Sequence, residues 1–539
     1  MSHAAVLPAA HYPSALAHRA AQQGWLKWAI VLAASFGATL EVIDTSIVNV
    51  ALPYMQGNLG ATLSEIGWVS TGYTMANVIV IPLTAWLSLR FGKKQYFLFS
   101  LVGFTLASIL CGMATSLSTL IIARVLQGLA GGGLLAKAQA ILFENFSAAE
   151  QAAVSAVFGL GVITGPAIGP ALGGWLTDNL NWRWIFFINI PFGILAVWMA
   201  SLFLPRDTAD HEVRAEAARK QGVDWIGILL LAIGLGCLQA VLEQGQQEDW
   251  LSSGFIRWMC FLSVSGLALF VWHSLRTPHP AVDLHVLRHR SLTAGSFFSL
   301  LLGMGLYGTL FVIPIFAQNQ LQFTATKTGV MLIPGALASA MAMILVAKLA
   351  KKHDPRAIIA AGSFMTAGVM WALSDLSPQT GEEQFFWPLI FRGLSSVLMF
   401  VPLSIATLGD LPKKDVGAGA GFFSLTRQLG GSIGIALITT LVSHRQVVHR
   451  SELVYHVSDQ NPNLADRIGA GKDLFNSVNG DPSAVSDQAL ALIDRSVNAQ
   501  AALLSYIDIF HIVMGIFLIA LPLVFLLGKG NRRVAVETH

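Results

Sequence analysis

Two carboxylates and one arginine stand where hydrocarbon should be. Glu41, Asp44 and Thr45 fall three and four residues apart in the apolar run that opens the chain, so they share one helix face. Desolvation and like-charge repulsion both disfavour the ionised form of a carboxylate, and a carboxylate that gains and loses a proton near neutral pH is a proton carrier. The bland alternative is a carboxylate neutralised by an arginine, with no proton traffic. Arg124 supplies a candidate cation. It lies in the run from Leu117 to Phe143, followed by Gln127, Gly128, Gly131, Gly132 and Gly133. A lipid-facing arginine costs roughly 2.5–3.5 kcal/mol on insertion scales, so Arg124 must face protein or a wet cavity and have a partner. Arg392 and Arg427 occupy comparable intramembrane places later in the chain, where structural roles serve equally well. Lys137 is expected to snorkel to the membrane surface.

Packing residues surround these groups. Gly161, Gly165, Gly169 and Gly173 recur every four residues and make a smooth helix face for close contact. Pro166 and Pro170 remove backbone donors and bend the same helix. A kinked, tight seam of this kind can seal one side of a cavity.

These residues need a membrane to position them. The chain has 539 residues, 54% hydrophobic and 12% charged, against about 25% charged in a soluble domain. Its apolar residues come in separate runs of about 20, the length that crosses roughly 30 Å of hydrocarbon. Fourteen spans are expected, at about 26–53, 64–89, 95–115, 118–143, 150–176, 183–204, 223–242, 255–274, 292–317, 327–348, 356–376, 385–408, 415–443 and 501–527. The tail from Met1 to Gly24 lacks the charged-then-apolar build of a cleavable signal peptide, so the first span is expected to act as an uncleaved start signal.

Basic residues set the orientation. With the N-terminus inside, the cytoplasmic segments hold Arg90, Lys93 and Lys94, then Arg206 to Lys220, Arg276 to Arg290, Lys348 to Arg356, Lys413 and Lys414, and Lys529 to Arg533. The short outside loops hold almost none. Spacing around Arg90 repeats around Lys348, and the approach to Arg124 resembles the approach to Arg392. This suggests two six-span repeats with two extra spans between them. The expected domains are a tail (1–25), a six-helix bundle (26–204), a linker with two extra spans (205–291), a second six-helix bundle (292–527) containing a long periplasmic loop (444–498), and a cytoplasmic tail (528–539).

Other functions find little support. A net charge of +3 without a large basic cluster gives nucleic acid no footing. Cys111, Cys237 and Cys260 lie in apolar runs, and His444, His449 and His456 match no zinc spacing. No cofactor is expected beyond protons as the coupling ion. A membrane-embedded enzyme would need a nucleophile constellation, metal site or nucleotide motif, and none is seen. A channel would be indifferent to collapse of the pH gradient.

At this point the motifs resemble the major facilitator superfamily, in particular its fourteen-span drug:proton antiporters of the EmrB type. Asp44, Thr45, Asn49 and Pro53 are similar to that group's first-span motif. Arg124, Gln127 and Gly128 resemble the motif linked to proton transfer, and Gly165, Pro166, Gly169, Pro170, Gly173 and Gly174 the antiporter motif. Asn181 to Pro191, Glu243 with Gly245, Asp249 with Trp250, Arg427 with Gln428, and Tyr506 with Asp508 also look like family signatures. One departure is Leu89, which replaces the acid of the usual loop motif and puts its charge latch in doubt. The resemblance implies an all-α membrane protein that exports amphipathic or hydrophobic toxic compounds from the bacterial inner membrane by proton antiport. A fatty acid, lipid or siderophore is the alternative cargo. It also implies partners: an EmrA-like periplasmic adaptor, which the long loop would dock on, and an outer-membrane channel. The site residues it implies are Asp44, Glu41 and Arg124 for protons, with Gln127, Asn49, Gly165, Pro166, Gly169, Pro170, Gly173, Arg392, Arg427 and Asp508 lining or gating the path.

Overall fold

The computed structural model describes residues 14–527 apart from 208, 221, 378, 456, 458–461 and 477–481. His456 and the tail bearing Lys529, Arg532 and Arg533 lie outside the described residues. The described residues form helices and connections, with no strand among them. Thirteen helices are long and apolar enough to cross a membrane, fourteen when one bent helix is counted as a single span.

In chain order the spans are Leu26–Leu59, Ser64–Phe91, Lys93–Met113, Leu117–Asn145, the bent Ala148–Asn179, Trp184–Phe203, Trp225–Gln244, Gly254–Arg276, Arg290–Asn319, Thr326–Ala350, Pro355–Ser374, Glu383–Leu408, Val416–Tyr455 and Val485–Leu526. They are numbered one to fourteen here. Odd spans leave the face where the described ends of the chain lie (the near face), and even spans return to it. Local chemistry starts several of them. Spans two, four and five each begin in a capping box, Thr62 with Glu65, Ser116 with Thr119 and Ser147 with Glu150, which satisfies amide groups that the helix itself leaves free.

Spans four and five are irregular beside the site, and both irregularities are written in glycine and proline. Span five bends by 44° between Pro166 and Ile168. Pro170 cannot donate to the carbonyl four residues back, and the ring of Pro166 crowds its own preceding turn. Span four is broken: one helix ends at Gly131, and a second begins at Leu134. Gly133 makes the turn at φ 74°, a left-handed conformation that side-chain-bearing residues avoid.

Close crossings hold the halves together. A methyl group placed on Gly165 would meet Val42 at 3.1 Å, and one on Gly173 would meet the Ile47 carbonyl at 3.0 Å; one on Gly161 or Gly169 would collide with Thr39 or Ser46. Span five therefore lies directly on span one. Its other side meets the second half: Gly329 of span ten abuts Ala171, Met343 of span ten reaches Gly159, and Phe158 stacks on Phe400 of span twelve at 6.4 Å. Near the terminal face, Gly421 of span thirteen faces the Ile81 carbonyl and Thr84 of span two.

The inserted pair fills the gap between spans two and thirteen farther along. Gly234 and Gly266 let spans seven and eight touch backbone to backbone. Span seven turns a polar strip inward. Glu243 accepts from Thr74 at 2.7 Å, Gln244 donates to Thr71 at 2.8 Å, and Gln239 donates to Ser432 of span thirteen at 2.7 Å. Span eight presents Trp258, Phe261 and Val264 outward, as a lipid-facing helix does.

The long segment between spans thirteen and fourteen is more helical than a loop. Span thirteen continues to Tyr455, a helix covers Pro462–Asn476, and the last long helix starts at Pro482. Arg450 ties the two long helices by donating to Asp494 at 2.7 Å and Asn498 at 2.8 Å.

Candidate functional site

Asp44 is fully buried and fully bonded. Its Oδ2 accepts from Arg124 Nη1 at 2.6 Å. Its Oδ1 accepts from Gln127 Nε2 at 2.9 Å and from Asn189 Nδ2 at 2.8 Å. Five spans thus meet on one carboxylate or on its first partners, because Ser108 of span three accepts from Gln127 at 2.8 Å and Val69 of span two accepts from Arg124. Arg124 is equally enclosed. Its Nη1 also reaches Gln127 Oε1 at 2.6 Å, its Nε donates to the Val69 carbonyl at 3.2 Å, and its guanidinium lies 4.1 Å from the centre of the Tyr73 ring. Helical spacing explains the local part: Arg124 and Gln127 are three residues apart and so project from one face of span four.

Glu41 sits one turn away on span one but belongs to a separate cluster. Its Oε1 accepts from Asn77 at 2.7 Å, and its Oε2 accepts from the backbone N–H of Leu135, also at 2.7 Å. That N–H is free because span four restarts at Leu134. The carboxylate therefore caps the second segment at the end where the helix dipole favours negative charge. Glu41 and Asp44 thus grip opposite sides of the break in span four. Lys137 and Arg427 are cations whose charge bears on Glu41.

Lys137 does not reach the membrane surface as expected. It is buried, donates to Ser100 at 2.6 Å and lies 4.0 Å from the centre of the Tyr96 ring. Eight residues separate it from the end of its helix at Asn145, about 12 Å at the helical rise, which is farther than a lysine stem bridges.

The remaining predicted residues are spread out. Asn49 is exposed and accepts from Ser70 at 3.4 Å, away from the Asp44 cluster. Gly165, Gly169 and Gly173 form the span-one seam, with Pro166 and Pro170 at its bend. Asp508 accepts from His449 at 2.9 Å and pairs with Arg445 at 3.4 Å, between the last two long helices. Arg392 and Arg427 are buried, and the Nε and Nη1 groups of both lack a hydrogen-bond partner among the described residues. At the loop where Leu89 replaces the usual acid, a different charge contact is present: Lys93 meets Glu144 of span four at 2.5 Å, and the Lys93 N–H donates to Asp207 at 3.3 Å.

Sequence reasoning missed Asn189 and Asn77 as partners of the two carboxylates, and Ser108 and Tyr73 as partners of Gln127 and Arg124. Asn189 carried a signal, being polar within a run of mean hydropathy 2.0. Among the described residues no group of three or more His, Cys, Asp or Glu is placed to hold a metal.

A bundle of fourteen spans with ionised side chains buried among them has the build of a multi-pass membrane transporter. The chain belongs to the major facilitator superfamily, whose sequence model matches residues 34–435. Within the superfamily it is an EmrB-like efflux permease. It is 33% identical over 496 residues to the multidrug export protein EmrB of Escherichia coli K12, covering 92% of this chain and 94% of that one. The fatty acid resistance protein FarB of Neisseria gonorrhoeae is 29% identical over 502 residues, 93% of this chain and 96% of FarB. The colistin resistance protein EmrB of Acinetobacter baumannii is 29% identical over 506 residues, with 94% and 97% covered. Among solved structures, the human organic anion transporter MFSD10 (TETRAN) superposes with a TM-score of 0.57 at 14% identity, over 92% of this chain and 99% of that chain, and supports the fold alone.

Proposed function

We propose that this permease exports amphipathic or hydrophobic toxic compounds across the inner membrane in exchange for protons, with Asp44 as the principal proton site. The observation that carries the reading is the buried Asp44–Arg124 pair at 2.6 Å, with every oxygen of the carboxylate engaged. A proton on Asp44 would leave Arg124 buried with no counter-ion. Breaking a buried pair in this way costs roughly 3–5 kcal/mol. Proton binding and the closed pair therefore oppose each other, and a protonated molecule shifts to an arrangement in which Arg124 finds water or another partner. That is a two-state element biased by a proton, as antiport requires. The glycine seam between spans one and five transmits the change, since no side chain there can absorb it.

Orientation follows the basic residues, with both termini cytoplasmic. The helical extension beyond spans thirteen and fourteen then projects into the periplasm, where it is suited to docking an EmrA-like adaptor that passes cargo to an outer-membrane channel. Exposed Val447, Val454 and Tyr455 give that extension an apolar surface. A fatty acid as cargo is a second reading, favoured by the likeness to FarB along nearly its whole length.

The test is transport of a cationic amphipathic dye by the purified chain in proteoliposomes with an imposed pH gradient. Uptake should follow the gradient and stop when a protonophore collapses it. Uptake that is indifferent to the gradient would overturn proton coupling.

A further inference from the structure

Resting on the efflux reading above, the geometry points to Arg427 as the recognition site for the anionic headgroup of an amphiphilic cargo, a carboxylate on an apolar chain. Arg427, like Arg124, is a buried guanidinium, and it is treated differently. Arg124 has Asp44; Arg427 is 1% exposed, yet its Nε and Nη1 have no hydrogen-bond partner among the described residues. The acid whose field it shares is Glu41. Both oxygens of Glu41 are committed elsewhere, to Asn77 and to the N–H of Leu135. An enclosed guanidinium with idle donors is costly unless something charged visits it, and its flat fork matches a carboxylate.

Position argues for a visitor from the transport path. Arg427 belongs to span thirteen, and its guanidinium lies 5.5 Å from the centre of the Phe400 ring. Phe400 in turn stacks on Phe158 of the other half. The arginine thus sits at the seam between halves, backed by an aromatic pair that suits an apolar tail. Gly421, where span thirteen closes on span two, is six residues away on the same helix, about 9 Å by helical rise. Parting that contact uncovers Arg427. Its backbone is fixed meanwhile: Gly303 of span nine rests on the Arg427 carbonyl, and Gly430 rests on that of Leu300. A donor on a rigid element at a moving seam is how a binding group is presented to one side at a time.

Arg392 has idle donors too, but its place in the repeat accounts for it differently. The separation between Arg124 and Arg392, counted on from Asp44 and Glu41, reaches Val312 and Thr309. No acid stands at those two positions, and among the described residues no hydrogen bond, ion pair or ring contact joins the Arg392 guanidinium to the other half.

The probes are radiolabelled laurate, dodecanol and dodecyltrimethylammonium, measured by equilibrium dialysis against the full chain in nanodiscs. Wild type should bind laurate more tightly than dodecanol. Arg427→Gln should weaken laurate about tenfold or more, the worth of a charge-assisted pair, while dodecyltrimethylammonium stays within about twofold. Arg427→Lys, which keeps the charge and loses the fork, should fall between them, and it decides the matter if Arg427→Gln does not fold. Unchanged laurate binding in the variants, or an equal loss of all three probes, overturns the headgroup site. Wild type that binds the cation but not laurate also overturns it and leaves the efflux reading standing. Wild type that binds none of the three overturns both.

Discussion

Asp44→Asn tests whether the buried charge pair is a mechanical element or an ornament. Asparagine matches aspartate in shape, so packing is unchanged and only charge and hydrogen-bond polarity differ. In the native protein both oxygens accept: one from Arg124, the other from Gln127 and Asn189. Asparagine has one acceptor and one donor. Facing its oxygen to Arg124 sets its NH2 against two amide donors, and the reverse sets it against the guanidinium. The variant therefore loses the counter-ion and gains a donor–donor conflict. We expect a loss of roughly 3–5 kcal/mol, the usual cost of orphaning one member of a buried pair. Arg124→Met added to Asp44→Asn removes the orphaned cation and should recover part of that loss, since an uncharged replacement of a buried pair is often near neutral. The assay is a double-mutant cycle on thermal unfolding in detergent, with far-UV circular dichroism confirming helix content. An Asp44→Asn protein as stable as wild type, or a double variant less stable than the sum of the singles, would refute the reasoning.

Arg124→Lys keeps a charge but cannot serve Asp44, Gln127 and the Val69 carbonyl together, so transport in proteoliposomes should fall with its pH profile altered; wild-type rates and profile would leave Arg124 a structural role alone. Gly173→Leu should cost far more activity or stability than Leu172→Ile, because Gly173 abuts the Ile47 backbone and leaves no room for a side chain; equal tolerance would count against a packed seam. Replacing residues 444–498 with a short Gly/Ser linker should spare transport in proteoliposomes but lower resistance in a two-membrane cell and abolish adaptor cross-linking; unchanged resistance and cross-linking would reject docking. At the near face, partial burial pushes the Asp224 carboxyl up, but N–H donation from Gly227, the contact with His273 and donation from Ala281 outweigh it and hold it below the ordinary carboxylate range. A depressed folded value stabilises above the unfolded value and is lost as pH falls through the folded one, so the Tm gap between wild type and Asp224→Asn should be full at pH 7 and close only below about pH 4; a gap that closes between pH 5 and 7 would contradict that sign.

Much of the fold is legible in the sequence because a bilayer imposes one length and one polarity on every span. The expected starts of spans one, two and nine fall within a few residues of Leu26, Ser64 and Arg290. Arg124 announced itself as a charge in an apolar run. Its partners did not. Asn189 comes from another helix, and no periodicity on span six ties it to span one. Gly131, Gly132 and Gly133, three glycines in a row, release a helix, and only the fold shows that Glu41 occupies the N–H thus freed. Lys137 misled because distance to the membrane surface depends on where that second segment starts. Beyond span thirteen, polarity marks the end of lipid and not the end of helix, so the length of its helices does not show in the hydropathy.

The most direct measurement is proton release evoked by an amphipathic cationic substrate, followed with a pH-sensitive dye in proteoliposomes of wild type and Asp44→Asn at matched incorporation. With Asp44 as the carrier, wild type releases protons on substrate addition and Asp44→Asn releases none while still binding the substrate. Substrate-evoked release of wild-type size from Asp44→Asn would contradict the assignment.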